Sequence, residues 1–437
     1  MNTNKVYYIL VGSIAVAVFV TVILILRGVG GGSLQTSTLE FWGVFDDRNA
    51  FDKVISDFQT QNPGIKVLYQ QFSYEEYEKK LIDSLAAGTG PDIVMLHNTW
   101  LPKHGDKLKA LPDKIPGQKL PLMTIQDYQT NYVDVAFDDF VFNNQIYGLP
   151  LYVDTLALFY NKDILNSAGI SRPPGDWEEI NADVETITRL DGSGQITQSG
   201  AAIGTARNIN RSTDLLSALM IQTGVMMTDA DNRTASFAGR VNNIPAGESA
   251  LRYYTDFANP SVRTYTWNDA QHYSIDAFIE GKTAMMFNYA YEVEVLKNKS
   301  PRLNFGVAPM PQVSSTDVRN YANYWGVGVP TNSKFPNESW KFIAYLTSKE
   351  GAQSYLSASL RPSARRDLID LQRSDLDLGI FAVQALSARS WYQIDNSAIE
   401  TIFADMIDDV NFGRSSVKES LENAESRVNV LMQRNRQ

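Results

Sequence analysis

Two stretches of the chain place aromatic rings beside hydrogen-bonding groups directly after an apolar strand pattern. Thr38 to Trp42 runs into Gly43-Val44-Phe45-Asp46-Asp47. Gly90-Pro91-Asp92-Ile93-Val94-Met95-Leu96 runs into His97-Asn98-Thr99-Trp100. In an open α/β sheet, ligands bind outside the carboxyl ends of the strands. Rings and polar groups gathered there suit a ligand with an apolar face and a hydroxyl rim, such as a pyranose. Aromatic side chains cover the C–H face, while Asp, Asn, Glu and Arg bond the rim. Trp42, Trp100, Tyr152, Trp267, Tyr289, Trp325 and Trp391 are the stacking candidates, with core packing the competing reading for each. Trp177 and Trp340 sit inside helical patterns and are expected to pack internally.

Catalytic patterns are sparse. The three histidines, His97, His104 and His272, have no spacing that suits a metal or a triad. No G-x-S-x-G or P-loop occurs. The adjacent pairs Asp46-Asp47, Asp138-Asp139 and Asp408-Asp409 read as solvated faces, although two carboxyls flanking a sugar bond would be a glycosidase arrangement. Asp229-Ala230-Asp231-Asn232-Arg233 and Asp191-Gly192-Ser193-Gly194 lack the full calcium-loop pattern and read as turns. No cofactor or metal is expected. The chain contains no cysteine, so disulfides and thiolate chemistry are absent.

The elements that must position these groups alternate. Phe51, Val54, Ile55 and Phe58 fall at helical spacing within Asn49 to Gln61, and Pro63-Gly64 ends that helix. Ile65, Val67 and Tyr69 alternate as a strand. Tyr77, Leu81 and Leu85 share one helical face, and Ile93 to Leu96 is a buried strand. Strand, helix, strand, helix, strand predicts parallel β-α-β units with helices on both faces. Further on, Leu156 to Tyr160 reads as a strand. Trp177 to Arg189, Asp214 to Gln222 and Ser249 to Ala258 read as helices. Apolar stripes over 399 to 410 and 417 to 431 predict two closing helices. At 437 residues with 44% hydrophobic content, the chain supports two or three ordinary cores. A net charge of −10 disfavours a nucleic-acid partner.

Several segments carry a resemblance, and they occur in a fixed order. They are Leu39-Glu40-Phe41-Trp42, Phe58 with Asn62-Pro63-Gly64-Ile65-Lys66-Val67, and Gly90-Pro91-Asp92-Ile93. Gly148-Leu149-Pro150-Leu151 with Leu158-Phe159-Tyr160-Asn161-Lys162 follows, then Trp177-Glu178-Glu179. Gly281-Lys282-Thr283-Ala284-Met285 and Trp325-Gly326 complete the set. Over residues 38 to 432 the chain resembles the extracellular solute-binding proteins of the maltose-binding type, the capture subunits of ABC importers.

The resemblance implies an α/β fold of two discontinuous lobes around a central cleft, 38–150 with 312–357 and 151–311 with 358–437. The crossings would lie near Pro150, Met310 and Ser357. It implies binding without a covalent step, and a monomer that delivers a sugar or oligosaccharide to an ABC permease. Asp46 and Asp154 match neighbourhoods that supply sugar-hydroxyl acceptors, with Asn98 similar; a solvated carboxylate is the competing reading for both aspartates. Asn288 and Tyr289 match a segment that contacts ligand. Trp42 and Trp100 would face Trp267 across the cleft, with Trp325 at its mouth. Two other readings stay open. One is a phosphorylated polyol, with Arg207, Arg361 or Arg365 pairing the anion. The other is a surface sensor or adhesion module on the same fold.

Val6 to Leu26 comprises 21 residues without a charge. At about 1.5 Å per residue it spans a hydrocarbon core. Lys5 and the α-amine precede it and only Arg27 follows before Glu40, which favours residues 1–5 inside and the bulk of the chain outside. A cleaved signal peptide, with Gly28-Val29-Gly30 at the cleavage site, competes with an uncleaved anchor. Many solute-binding proteins are tethered through an acylated cysteine, which this chain lacks, so the helix would be its tether. Residues 27–37, including Gly30-Gly31-Gly32-Ser33, form a linker.

Overall fold

The computed structural model describes residues 36–434. The Val6–Leu26 segment lies outside them. Among the described residues, no helix is long and apolar enough to cross a membrane.

Two mixed sheets organise the chain. In the first, Ser37–Val44 pairs in parallel with Ile65–Phe72 on one side and Ile93–His97 on the other. The helices Asn49–Gln61 and Tyr74–Ala86 make the crossovers, burying Phe51, Val54, Ile55 and Phe58, and Tyr77, Leu81 and Leu85 respectively. The strand Trp325–Pro330 then arrives from far along the chain. It runs antiparallel to Ile93–His97, with Trp325 opposite His97. Leu149–Pro150 pairs with its other edge. Gly326 makes this possible, because a Cβ there would stand 2.6 Å from the Leu149 carbonyl oxygen.

In the second sheet, Ala157–Asn161 lies antiparallel to both Thr283–Asn288 and Phe305–Ala308. Ile196–Ala201 runs parallel to Thr283–Asn288. The helices Trp177–Ile187, Ser212–Gln222, Ala246–Asp256, Asn396–Asn411 and Val417–Arg434 belong to this half. The first of them stops before the expected Arg189, because Arg189–Leu190 pairs with the Ile196–Ala201 strand.

Each half buries its own core, and core membership locates the crossings. Leu151, Tyr152 and Val153 pack in the first core and Leu156 in the second, a few residues past Pro150. The second crossing falls between Tyr321 and Ala322, later than Met310, which packs in the second core. The third also falls later than Ser357: Ala364, Leu368 and Ile369 still belong to the first core, and Trp391 belongs to the second. The two late crossing segments meet, with Asn320–Tyr321 pairing in parallel with Ala388–Arg389.

Candidate functional site

A cavity of about 630 Å³ opens between the halves. The first half contributes Phe45, at the end of the Ser37–Val44 strand, and His97, Asn98 and Thr99, at the end of Ile93–His97. It also contributes Tyr74, Tyr152, Trp325 and Arg361. The second half contributes Arg211, Asp214, Tyr289, Tyr291, Trp391 and Glu400, and Asp154 and Asn323 lie on the crossings. The strand ends that the sequence marks as ligand-facing therefore do open into one cleft.

Several polar groups in the cavity are held from behind. Asp154 accepts the Ala290 N–H at 3.0 and 3.1 Å and the Thr155 N–H at 2.8 Å. Burial pushes its carboxyl up to about 7, against the pull of these donors and of Arg361 and Arg211. Asn98 donates to Asp139 at 3.0 Å, and Asp139 also accepts the Tyr324 hydroxyl at 2.6 Å and the Ser390 hydroxyl. Burial raises Asp139 to about 7 as well. His97 is lowered to about 4 by burial, so it is neutral at pH 7. Its ring nitrogens lie 2.8 Å from Thr99 Oγ1 and 3.2 Å from Asn323 Oδ1. Asp214 accepts the Tyr289 hydroxyl at 2.8 Å, and burial raises its pKa.

Trp325 is 2% exposed and sits in an aromatic cage. His97 and Trp100 each meet it edge-on at 5.1 Å, and Phe45 does so at 5.9 Å. Trp391 stacks on Phe403 at 5.8 Å. Its indole N–H is buried without an acceptor among the described residues. An unpaired buried donor on a cavity wall is costly unless something in the cavity accepts from it.

Of the candidate residues, Asn98, Tyr152, Asp154, Tyr289, Trp325, Arg361 and Trp391 line this cavity. Trp42, Asp46, Trp100, Trp267 and Asn288 do not. Trp42 packs against Phe72 at 4.7 Å within the first core. Trp100 stands one layer back, stacked on Tyr77 at 5.9 Å behind Trp325. Trp267 is fully buried in a separate cluster of the second half with Phe278 and Phe381, and its indole donates to Asn208 at 3.2 Å. It therefore faces neither Trp42 nor Trp100 across the cleft. Asn288 is consumed by its neighbours, accepting the Tyr289 N–H at 2.9 Å and donating to Glu292 at 3.2 Å.

Asp46 acts from underneath. Its carboxylate accepts from Arg361 Nη2 at 2.9 Å and from the Tyr355 hydroxyl at 2.6 Å. The Arg361 guanidinium lies 5.0 Å over the Tyr152 ring. The anion-binding arginines are already matched: Arg361 to Asp46, Arg207 to Asp405 and Asp408, and Arg365 to Asp367. The cation the sequence reading overlooked is Arg211. Its backbone is left-handed, φ 61° and ψ 27°, at the start of the Ser212–Gln222 helix. Its guanidinium lies 5.5 Å over the Tyr289 ring, and its Nε is buried without a partner. Backbone strain of this kind persists only where the surrounding structure holds it. No local pattern in Ile209-Asn210-Arg211-Ser212 announces it.

The comparisons agree with this geometry. Residues 42–353 match the family model for bacterial extracellular solute-binding proteins. A putative binding protein of Brucella abortus (strain 2308) is 23% identical over 88% of this chain and 90% of its own length. A maltodextrin-binding protein of Bacillus subtilis (strain 168) is 22% identical over 87% and 86%. Among solved structures, the cyclic α-maltosyl-1,6-maltose binding protein of Arthrobacter globiformis superposes with a TM-score of 0.75. It is 20% identical, covering 91% of this chain and all of that one. With the family model spanning most of the chain, and two halves closing on a lined cavity, the chain belongs to the bacterial extracellular solute-binding proteins.

Proposed function

We propose that the chain captures a sugar or oligosaccharide in the interlobe cavity and hands it to an ABC permease. The observation that carries this reading is the composition of the cavity lining. Aromatic side chains (Trp325, Tyr152, Trp391) and hydrogen-bonding groups (Asp154, Asn98, Arg211) together line about 630 Å³. That volume is ordinary for a small-molecule site. Trp391 and Tyr152 cover ring faces. Asp154, its inward lone pairs held by backbone N–H groups, accepts from sugar hydroxyls. Arg211 donates to ring or hydroxyl oxygens. Binding needs no covalent step, and the lobes close over the ligand by rotation at the paired crossing segments. The maltodextrin-binding relative supports the sugar class. Arg207, Arg361 and Arg365 are all matched to carboxylates, which leaves Arg211 as the cavity cation without a carboxylate ion pair among the described residues.

The uncharged segment Val6–Leu26 anchors the protein, holding the two lobes on the extracytoplasmic face beside the permease. A thermal-shift screen of the purified protein against neutral mono- and oligosaccharides, sugar phosphates and amino acids tests the ligand class. Stabilisation by a neutral sugar alone is the expected result, and stabilisation by another class alone refutes the sugar reading.

A further inference from the structure

We infer that Asp139 is a positioning residue that couples ligand contact at Asn98 to the hinge, because one carboxylate holds Asn98 together with both late crossing segments. This rests on the capture-by-closure reading above and names the side chain through which binding and closure communicate.

Asp139 lies in the last turn of the helix Asp134–Phe140, which buries Val135, Ala136 and Phe140 in the first core. The carboxylate is therefore presented from a fixed frame, and it stands outside the lining of the 630 Å³ cavity. Its two oxygens take different partners. Oδ2 accepts from Asn98 Nδ2 at 3.0 Å and from the Tyr324 hydroxyl at 2.6 Å. Oδ1 accepts from the Ser390 hydroxyl. All three donors are neutral, and a bond to a carboxylate is stronger than one between neutral groups.

The donors stand at the places that closure connects. Asn98 ends the Ile93–His97 strand and lines the cavity. Its Oδ1 accepts the Tyr324 N–H at 3.4 Å and its Nδ2 serves Asp139, which leaves one amide hydrogen for a ligand. Tyr324 follows the second crossing, past Tyr321 of the second core and Ala322 of the first. Ser390 sits on the third crossing itself, between Ala388 of the first core and Trp391 of the second. The two crossings are bonded to each other, with the Ala322 N–H on the Arg389 carbonyl at 2.9 Å. Trp391, next after Ser390, lines the cavity with its indole N–H unpaired.

A ligand that meets Asn98 and Trp391 together thus touches both sides of one carboxylate. Rotation at the third crossing moves Ser390 against the Asp134–Phe140 helix and loads its bond to Oδ1. The shared carboxylate carries that load to Asn98. A continuous chain of hydrogen bonds makes such coupling physical, and a double-mutant cycle measures it.

Titration calorimetry on the full-length protein in detergent reads affinity, with maltotriose, β-1,4-mannotriose and β-1,4-galactotriose as probes. The chain has no cysteine. Glu75→Cys on the Tyr74–Ala86 helix and Glu422→Cys on the Val417–Arg434 helix, both exposed, therefore carry spin labels that report the interlobe distance. For the probe that binds, Ser390→Ala and Asp139→Asn should each lower affinity about three- to tenfold. Ser390→Thr keeps the hydroxyl and should stay within about twofold of the parent. In an Asn98→Ala background the Ser390→Ala penalty should shrink below about twofold. The ligand-free distance distribution should broaden in Ser390→Ala and in Asp139→Asn. An equal Ser390→Ala penalty with and without Asn98 overturns the coupling and leaves the sugar reading standing. So does a distance distribution that neither variant changes. If none of the probes binds, the sugar reading fails; a broadened distribution then keeps Asp139 at the hinge, and an unchanged one removes it.

Discussion

Lys103 of the first half reaches Asp395 of the second, with its ammonium nitrogen 2.8 Å from Oδ2. The same ammonium lies 2.7 Å from Glu78, whose Oε1 also meets His104 at 2.8 Å. Asp395 caps the Asn396–Asn411 helix through the Ala398 N–H. The pair therefore ties a short helix of one lobe to the start of a long helix of the other, spanning the cleft.

This pair should favour the closed arrangement. Lys103→Ala is expected to weaken ligand affinity about two- to fivefold, the scale of a partly exposed ion pair. The salt dependence of affinity should shrink in the variant. An unchanged affinity and salt dependence would show that the contact plays no part in closure.

Trp325 packs as a core residue that also shows a face to the cavity. Trp325→Ala should cost about 3–5 kcal/mol of stability, because its ring cage cannot collapse into the space left. Denaturant unfolding measures this. A loss below about 1 kcal/mol, with affinity strongly reduced, would make Trp325 a ligand-stacking ring alone.

Arg211 separates binding from folding. Arg211→Gly suits the left-handed backbone, so the unfolding midpoint should hold or rise slightly. Sugar affinity should fall about tenfold or more with the loss of a charged donor. Paired unfolding and binding measurements on this one variant decide the assignment, and retained affinity would remove Arg211 from the site.

Asp154 makes the ligand-free protein sensitive to pH. Its folded carboxyl titrates at about 7 and its unfolded one near the ordinary 3.8. Between these values the folded state binds the extra proton, so this group's contribution to stability falls as pH rises from about 4 to about 7. Asp139, also near 7, acts in the same direction, while His97, lowered to about 4, opposes both below its ordinary 6.5. Asp154→Asn should remove its share of the decline, read as a flatter melting temperature between pH 4 and 7. A slope unchanged in the variant would show that Asp154 titrates normally.

The anchor is tested at the amino terminus. Sequencing the mature protein from the membrane fraction is expected to find residues ahead of Val6. A mature chain that starts near Gly31 would establish cleavage instead.

The amino-acid order alone determined the local elements and the edge of the sheet that serves the site. The stripe Phe51, Val54, Ile55, Phe58 needs only helical geometry and a core to face, and Pro63-Gly64 ends it whatever surrounds it. His97 to Thr99 open into the cleft because they follow a buried strand. Local pattern could not decide which tryptophans reach the cavity. Both faces of the first sheet are covered, so Phe41 and Trp42 are buried alike and alternation does not tell them apart. The choice came from strand order. Trp325 lies opposite His97 only because a strand from the far end of the sequence pairs antiparallel there, and its arrival puts Trp100 in the second layer. Trp267 follows a helix into a separate cluster, and Arg211 enters the cavity through a left-handed backbone. Asp46 reaches the site through Arg361, 315 residues away along the chain and 2.9 Å away in space. Pairings at such separations are set by how the two halves pack, and no window of neighbouring residues contains them.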